Sequence, residues 1–346
     1  MRLFTGVAEQ YADFASYAGD SPCFADWAAR VAEDGELQEW IAQLPPIKQQ
    51  PNLVFAAARW HGVPAPGPYE GLRDALLNDD GTIVARITAR STQTNEVGRL
   101  ATLAPVFART AAETSRPLSI IEAGASAGLC LYPDRYTYRY LTGPDRTPID
   151  WTPSDGTPAD TTPTTARPVL TCRVKGAFAV PQNGFEVAWR GGIDLSPLDV
   201  RDDDEMAWLA NLVWPEQHER RARLETAAEI ARSEPPHLVA GDILTDLPEL
   251  VAEAAQYGQV VVFHSAVVAY LEPEDRERFA DLMTGLVRDG ACRWVSNEGA
   301  GVLPRITATG PDVPDGHPTF VLGLDGQEVA WTHGHGRSLT WHADPR

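Results

Sequence analysis

The sequence predicts an α/β protein in which a helical N-terminal region precedes a doubly wound, largely parallel sheet with an antiparallel edge. Three observations predict this class: helical periodicity over residues 1–115, β-rich runs that alternate with helical runs from Leu118 onwards, and a hairpin pattern near the end of the chain. Because 346 residues exceed one average domain, we predict two. They are a helical cap or substrate domain over residues 1–115 and an α/β domain over residues 116–346.

The composition limits the classes of partner. The chain carries 48 Asp and Glu against 29 Lys and Arg, a formal net charge of −19, which repels nucleic-acid phosphates and anionic lipid headgroups. We therefore expect a small-molecule substrate, no nucleic-acid partner and no membrane association. Acidic residues interrupt the N-terminal stretch and no run approaches about 18 apolar residues, so we predict neither a signal peptide nor a transmembrane helix. The four dispersed cysteines are typical of free thiols in a cytoplasmic protein.

The N-terminal elements are predicted to be amphipathic helices. In FADWAARVAEDGELQEWIAQLPP the apolar residues recur at three- and four-residue spacings until Pro45 and Pro46 end the pattern. Residues 61–70, HGVPAPGPYE, form a Pro/Gly-rich connection, after which GLRDALL and TIVARITAR resume short apolar periodicity. A last helical pattern, NEVGRLATLAPVFARTAAET, then leads to Arg116 and Pro117.

The second region begins with a buried strand, LSII, that ends at Glu122 and enters a turn of small residues. Further predicted strands are FEVAWRGGID, HLVAG, QVVVFHS and ACRWVSNEG, while EPEDRERFADLMTGLVRDG has the periodicity of an amphipathic helix. Residues 132–168 predict a strand or hairpin followed by irregular structure, within an insertion at about 132–185. Asp325 and Gly326 are predicted to form the turn of a terminal hairpin.

Residues 120–129, IIEAGASAGL, contain GASAG, which fits two chemical templates. As G-x-S-x-G it makes Ser126 the nucleophile of an α/β-hydrolase, with Asp242 and then His264 or His333 as triad partners in the correct chain order. A nucleophile elbow also requires strands and an oxyanion loop upstream, whereas the residues before this turn have helical patterns. The serine hydrolase is therefore kept as an alternative.

As a turn of small residues after an acidic strand end, GASAG is also suited to hold a nucleotide-like cofactor. Such a site needs small residues for close backbone approach, a following helix N-terminus, and a carboxylate after the second strand for the ribose hydroxyls. Gly124, Ser126 and Gly128 meet the first need, and Asp194 in GGIDLSPLD meets the last. The NAD fingerprint G-x-G-x-x-G does not match this spacing, and Asp194 lies far beyond the usual distance of about 20 residues.

The series of strand ends resembles that of class I S-adenosylmethionine-dependent methyltransferases. Glu122, Gly124, Ser126 and Gly128 match the family's acid-x-Gly-x-Gly-x-Gly motif with serine at the middle glycine, and GIDLS matches the end of its second strand. AGDIL, VVVFHSAVVAYL, LVRDGACRWVSNEG and the terminal hairpin resemble its later strands. The resemblance implies a Rossmann-like sheet over about 118–346 and S-adenosylmethionine as cofactor. The positions assigned to the cofactor are Glu122, Gly124, Ala125, Ser126, Gly128, Asp194, Leu195, Asp242, Ile243, His264 and Ser265.

A second resemblance covers most of the chain. QTNEVGR, EAGASAGL, YPDRYTY, DLSPLDV, VWPEQ and VVFHSAVVAYL are similar, in this order, to the signatures of an uncharacterised bacterial family, domain of unknown function 2332. The match is specific because several unrelated motifs occur in order. Since that family brings no established activity, the resemblance supports the fold rather than a reaction.

The substrate end of the site is predicted from polar residues outside the cofactor turn. In NEVGR, the polar residues have the i,i+3 and i,i+4 spacing of one helical face, and Gly98 indicates close approach by another backbone or a ligand. His264 ends a predicted strand, and a neutral imidazole accepts a proton near pH 7. The predicted substrate-binding residues are Asn95, Glu96, Arg99, Asp134 and Arg135, and the predicted catalytic residues are His264, Glu96 and Arg99.

Several assignments have a structural alternative. Glu122 could accept backbone N–H bonds, Asp194 could cap the next helix, and His264 could be a core histidine with both ring nitrogens bonded. His333 and His335 could bind a metal, but without a nearby carboxylate or Cys partner we predict hairpin decoration and no metal. The predicted function is methyl transfer to an unidentified small molecule; the alternatives are the serine hydrolase and a non-catalytic ligand-binding or scaffold protein.

Overall fold

The protein is described by a computed structural model over residues 6–93, 95–143, 145, 147–153, 167–314 and 319–342. The predicted α/β class is confirmed: these residues form 12 α-helices and one large sheet in which most strand pairs are parallel. The chain divides into two compact units, Met1–Thr94 with Asp202–Glu225 and Asn95–Arg201 with Thr226–Arg346. None of the helices in the described ranges combines the length and the apolar character that a bilayer crossing requires.

The first unit is helical, as its periodicity predicts. Its core is aromatic: the ring of Phe55 lies 5.1 Å from that of Phe24 and 5.4 Å from that of Trp27. One helix starts at a recognisable cap, because Ser21 accepts the N–H of Phe24 and is followed by proline at the first helical position. The helices of this unit are α1 (Val7–Tyr17), α2 (Pro22–Val31), α3 (Gly35–Ala42), α4 (Pro51–Trp60), α5 (Tyr69–Leu77), α6 (Thr82–Ala89) and, after the intervening strands, α8 (Asp203–Leu212).

The second unit holds the sheet and the remaining helices. Its strands are β1 (Leu118–Ala123), β2 (Thr137–Thr142), β3 (Thr147–Trp151), β4 (Val169–Gly176), β5 (Val187–Asp194), β6 (His237–Ala240), β7 (Gln259–Ser265), β8 (Arg293–Gly299), β9 (Phe320–Leu324), β10 (Gln327–Thr332) and β11 (Ser338–Trp341). Its helices are α7 (Leu100–Thr114), α10 (Leu247–Ala254), α11 (Pro273–Arg288) and α12 (Pro304–Thr307), while α9 (His218–Ser233) runs from the first unit into the second.

Across the described residues the strand order is β3-β2-β4-β11-β10-β9-β8-β7-β1-β5-β6. The five strands from β8 to β6 in this order run parallel to their neighbours. β1 is central among them, and all six of its residues are buried, as its apolar run predicts. Parallel strands end at the same edge of a sheet, so the loops after β6, β5, β1 and β7 meet at one edge.

The antiparallel part begins at β8, which pairs with β9, and continues through β10 to β11. The predicted hairpin turn lies between β9 and β10, where Asp325 and Gly326 both have positive φ, 52° and 80°. Two such residues form the turn type whose twist matches paired strands. Asp325 also accepts the N–H of Trp294 at 2.8 Å, which links the turn to β8.

Two features differ from the sequence prediction. The insertion at about 132–185 contains the predicted hairpin as β2 and β3, but it also contains β4, which was not predicted and which pairs in parallel with β2 and with β11; residues 154–166 of the predicted irregular segment lie outside the described ranges. Residues 95–115, predicted with the helical region, belong to the compact unit of the sheet. The reason is that α7 packs on the sheet, with Phe107 5.4 Å from Phe263 of β7, ring centre to ring centre.

Candidate functional site

Acidic and small residues converge where the parallel strands end. Glu122 lies at the end of β1, Asp194 ends β5, Asp242 follows β6, and Ser265 ends β7. β1 lies between β5 and β7. The parallel strands β5 and β6 lie on one side of it, and the later strands β7 and β8 lie on the other. Open α/β sheets bind ligands in the crevice at such a point.

The GASAG turn after β1 is shaped by three residues with positive φ: Gly124 at 74°, Ser126 at 51° and Gly128 at 68°. A Cβ on Gly124 would lie 2.5 Å from Val267 Cγ1, and a Cβ on Gly128 would lie 2.9 Å from Pro236 Cγ. The expectation that these glycines leave room for a cofactor therefore needs correction. Glycine is required here by the backbone conformation and by packing against the chain itself.

Asp194 holds this turn. Its Oδ2 accepts the N–H of Ser126 at 2.8 Å and its Oδ1 accepts the N–H of Ser196 at 2.9 Å. An ionised carboxylate has about four lone-pair positions, so two acceptor positions remain. Leu195, the next residue, is 81% exposed, the largest exposed fraction among the large apolar side chains of the described residues.

The segment after the turn is not the helix that the cofactor template requires. GASAG is followed by two single 3₁₀ turns, Leu129–Leu131 and Pro133–Arg135. Arg190 of β5 fixes them: its Nη1 donates to Leu131 O at 2.7 Å, and its guanidinium makes two 2.8 Å bonds to the Asp134 carboxylate. A backbone segment held by a buried ion pair thus occupies the place of a helix N-terminus.

This ion pair also corrects the prediction that Asp134 reaches the substrate mouth. Asp134 is buried, and both of its carboxylate oxygens bond to Arg190. Cζ of Arg190 lies 5.0 Å from the ring centre of Tyr132. Arg135, the neighbour of Asp134, pairs with the Glu234 carboxylate. Both side chains therefore stabilise the chain after the turn.

Glu122, at the end of β1, is a buried acid. In the part of the chain that the structure describes, its Oε2 has no hydrogen-bond partner. Burial raises its pKa well above the usual value; Arg99 opposes this increase, Asp194 adds to it, and a hydrogen bond from Cys130 lowers it. One oxygen of this carboxyl group thus accepts no hydrogen bond from the described residues, and water reaches it poorly.

The predicted substrate residues Asn95, Glu96 and Arg99 are buried around a single 3₁₀ turn, Val97–Arg99, rather than lying on one face of a helix. Asn95 Oδ1 accepts the N–H of Leu129 at 3.0 Å, which joins this segment to the GASAG turn. Glu96 Oε1 accepts the N–H of Gly98 at 3.0 Å. The segment therefore lies beside the cofactor turn, although by a different local structure from the one predicted.

Arg99 connects two further loops to this segment. Its Nε donates to Gly334 O and its Nη1 to Ser265 O, both at 2.8 Å. A Cβ on Gly98 would lie 2.8 Å from His335 O, so the close approach that this glycine indicates is made by another backbone. Arg99 thus holds the loop after β10 against the end of β7.

His264 does not have the geometry of a base. Its side chain is fully buried, Nδ1 lies 2.7 Å from Glu298 Oε1, and Nε2 accepts from Trp294 Nε1 at 3.0 Å. Since the indole can only donate, the imidazole is assigned as a neutral ring whose Nδ1 carries the proton. Both nitrogens are committed, which corrects the expectation of a proton acceptor facing a substrate.

The same strand-end structure fixes Ser265. Its Oγ accepts from Asn297 Nδ2 at 2.9 Å, and Asn297 Oδ1 accepts from Thr332 at 2.7 Å. Glu298 Oε1 also accepts the N–H groups of Val267 and Val268, at 3.0 and 3.1 Å. Asn297 and Glu298 were missed by sequence reasoning, and their adjacent positions in the VSNEG run of a buried strand were the available signal.

Two predicted positions lie after β6. Asp242 is exposed, its Oδ1 accepts the N–H of Leu244 at 2.8 Å, and its own N–H donates to Asp246 Oδ2 at 2.8 Å. Ile243 is buried. Asp242 therefore stabilises a turn while its carboxylate remains open to solvent.

The two histidines after β10 form a compact loop in which the N–H of His335 donates to His333 Nδ1 at 3.0 Å. Within the described ranges, no three His, Cys, Asp or Glu side chains come together in a geometry that could hold a metal ion.

Comparison with known proteins places the chain in a family. It has no match among curated proteins and none among solved structures. A family model described as "Uncharacterized protein conserved in bacteria (DUF2332)" matches residues 8–341. Because this match spans nearly the whole sequence, the chain belongs to the bacterial family of domain of unknown function 2332.

Proposed function

We propose that the protein is an S-adenosylmethionine-dependent methyltransferase with its cofactor site at the ends of β1, β5 and β6. One observation carries the proposal: carboxylates lie at three adjacent strand ends, Glu122, Asp194 and Asp242, next to the point between β1 and β7 where the strand order reverses. In chain order the five parallel strands lie third, second, first, fourth, fifth. That order is typical of doubly wound nucleotide-binding sheets.

The turn after β1 favours a cofactor without phosphate groups. Pyrophosphate is usually bound at the N-terminus of a long helix, where free N–H groups and the helix dipole attract negative charge. Here GASAG leads into 3₁₀ turns, and the nearby carboxylate of Asp194 disfavours an anion. A cofactor with a positively charged sulfonium suits this charge distribution better than a dinucleotide does.

The described residues fit such a cofactor. Asp194 retains acceptor positions for two ribose hydroxyls, exposed Leu195 offers an apolar surface for a flat base, and the Asp242 carboxylate is open to accept from an exocyclic amine. When bound, S-adenosylmethionine supplies an electrophilic methyl group on sulfur. The protein then has to orient the acceptor and exclude water.

Calorimetry with S-adenosylhomocysteine tests the proposal on wild type, Leu195→Ser and Tyr17→Ser. Leu195 is 81% exposed, so its replacement leaves the fold intact and removes only surface available to the base. We expect wild type to bind, and Leu195→Ser to bind about 5- to 10-fold more weakly through lost apolar contact. Tyr17 is 56% exposed in the helical unit, and its replacement leaves affinity unchanged. Absence of binding to folded wild type refutes the proposal.

The serine hydrolase remains a second candidate because of one observation: Ser126 has positive φ, 51°, in a turn flanked by required glycines. A strained serine between glycines is the hallmark of a nucleophile elbow. Against it, Ser126 Oγ has no hydrogen-bond partner among the described residues, and both nitrogens of His264 are engaged. Under our proposal a fluorophosphonate probe leaves Ser126 unlabelled; covalent labelling at this residue supports the hydrolase.

A further inference from the structure

A cluster of buried polar atoms without partners lies beside the GASAG turn. Four atoms of this cluster have no hydrogen-bond partner within the described part of the chain: Asn95 Nδ2, Glu122 Oε2, Ser126 Oγ and Tyr136 Oη. Each of the four residues is at least nine-tenths buried. We call these four residues the inner polar cluster.

The contacts of these residues bring them to one place. Asn95 bonds to the N–H of Leu129, in the segment that directly follows the turn containing Ser126. Cys130, the next residue, forms a hydrogen bond with Glu122. It also adds to the increase that burial causes in the pKa of Tyr136. The cluster thus lies around the GASAG turn, and Asp194 reaches it through its hydrogen bond from the N–H of Ser126.

Natural proteins seldom leave so many buried polar atoms unsatisfied in one region. Each unmade hydrogen bond has a sizeable cost, and four adjacent ones indicate a place that is filled when the protein works. Ordered water is one occupant, and a polar group of a substrate is the other.

The charges around the cluster favour a nitrogen cation over an anion or an uncharged carbonyl compound. Glu96, Glu122 and Asp194 contribute carboxyl groups, and Arg99 contributes a guanidinium. Arg99 already donates Nε and Nη1 to two backbone carbonyls. The uncommitted oxygen of Glu122 lacks a donor, and burial keeps its pKa high. A protonated amine supplies both the donor and the missing positive charge.

We propose that the inner polar cluster binds the nitrogen of an amine, which is the methyl acceptor, and that Glu122 Oε2 is the atom that holds it. This inference rests on the proposed function. In the reaction, the Glu122 carboxylate first accepts one proton from the bound ammonium, which leaves a neutral amine. The nitrogen lone pair then forms the bond to the methyl carbon while the carbon–sulfur bond breaks and its electron pair stays on sulfur. The methylated product leaves as an ammonium ion, and Glu122 returns its proton to solvent.

Sinefungin provides the probe, because it differs from S-adenosylhomocysteine by a protonated amine beside the position of methyl transfer. We expect wild type to bind sinefungin at least about 10-fold more tightly than S-adenosylhomocysteine, through a charge-assisted hydrogen bond to Glu122. In Glu122→Gln the two affinities become equal within about 2-fold. The exposed Glu229 gives the matched control, Glu229→Gln, which keeps the wild-type ratio.

Tyr136→Phe is the second variant, in case Glu122→Gln does not fold. Tyr136 Oη has no partner to lose among the described residues, so the variant keeps the internal contacts of wild type. We expect its affinity ratio to fall about 3-fold or more. Equal affinities in wild type, or a ratio that both variants leave unchanged, overturn the amine assignment and leave water as the occupant. If wild type binds neither compound, the methyltransferase proposal itself fails.

Discussion

Asp194 Oδ2 accepts the backbone N–H of Ser126 at 2.8 Å, so the acid that ends β5 holds the turn that follows β1. The same carboxylate accepts the N–H of Ser196 through Oδ1. One side chain therefore links the two strand-end loops on one side of the sheet crevice. Its role as a support of the turn is compatible with a role in ligand binding, because each oxygen has a further lone pair.

The link predicts the stability of Asp194→Ala. Ser126 is 4% exposed, so its N–H loses its only acceptor in a place that water reaches poorly, and the free energy of unfolding should fall by about 1–3 kcal/mol. Urea denaturation measures the change. Asp199→Ala is the control in the same loop, since the Asp199 carboxylate contacts exposed Arg201; we expect a change below about 0.5 kcal/mol. Equal effects of the two variants contradict the prediction.

Ser126→Gly should stabilise the protein. Ser126 has φ of 51°, a conformation that costs a residue with a Cβ about 1–2 kcal/mol, and the greater freedom of glycine in the unfolded chain offsets part of the gain. We expect the free energy of unfolding to rise by up to about 1 kcal/mol. Ser115→Gly is a comparison outside the site, because exposed Ser115 has φ of 53°. A loss of stability in Ser126→Gly alone shows that its hydroxyl has a stabilising role.

The sequence predicts most of the strands because a buried strand contains a short run of apolar residues that is visible locally. The apolar run before Glu122 predicts β1, and Asp325-Gly326 predicts the β9–β10 turn that the structure contains. In the insertion, the predicted hairpin is present as β2 and β3, and β4 was missed. β4 alternates buried and exposed residues over Val169–Gly176, but Pro- and Thr-rich residues before it obscure this short pattern.

The sequence predicts which residues lie at the strand ends but not what they contact, because the contacts join residues far apart in the sequence. His264 is assigned as a base by its place at a strand end, yet Glu298 and Trp294 on the neighbouring strand engage both of its nitrogens. Asp134 was predicted to bind substrate, but it is buried in the structure and bonds to Arg190. Local spacing contains no information about such partners.

Arg190→Met should be among the most destabilising single substitutions. Arg190 and Asp134 form a buried bidentate pair, and removal of the guanidinium takes two charge-assisted hydrogen bonds from the buried Asp134 carboxylate. We expect the free energy of unfolding to fall by about 3–5 kcal/mol, and the double variant Arg190→Met/Asp134→Leu to recover part of it.

An exposed pair of the same geometry provides the control for Arg190. Arg139 makes two bonds to Asp150, at 2.8 and 2.7 Å, on neighbouring strands at the sheet edge. Because water solvates both groups, Arg139→Met should cost less than about 1 kcal/mol. Chemical denaturation of the three variants measures the differences. If Arg190→Met costs no more than Arg139→Met, the pair does not anchor the segment after the turn.

Glu122 predicts a pH dependence of stability. Its pKa in the folded protein is raised by burial above the usual value of 4.5, so between these two values the folded chain binds more protons than the unfolded chain. Glu122 therefore contributes its full stabilisation of the fold below about pH 4.5. As the pH rises towards the folded-state pKa, this contribution to the free energy of unfolding falls by about 1.4 kcal/mol per pH unit. Glu122→Gln keeps the shape of the side chain and does not ionise.

The prediction is tested by urea denaturation of wild type, Glu122→Gln and Glu229→Gln at a series of pH values from 4 to 8. We expect Glu122→Gln to match wild type near pH 4 and to gain stability relative to it as the pH rises, because only wild type has to ionise a buried carboxyl group. Glu229 is exposed, so Glu229→Gln should follow wild type throughout. A constant difference between Glu122→Gln and wild type across the series means that Glu122 ionises equally easily in both states, and it removes the charge argument for an amine in the inner polar cluster.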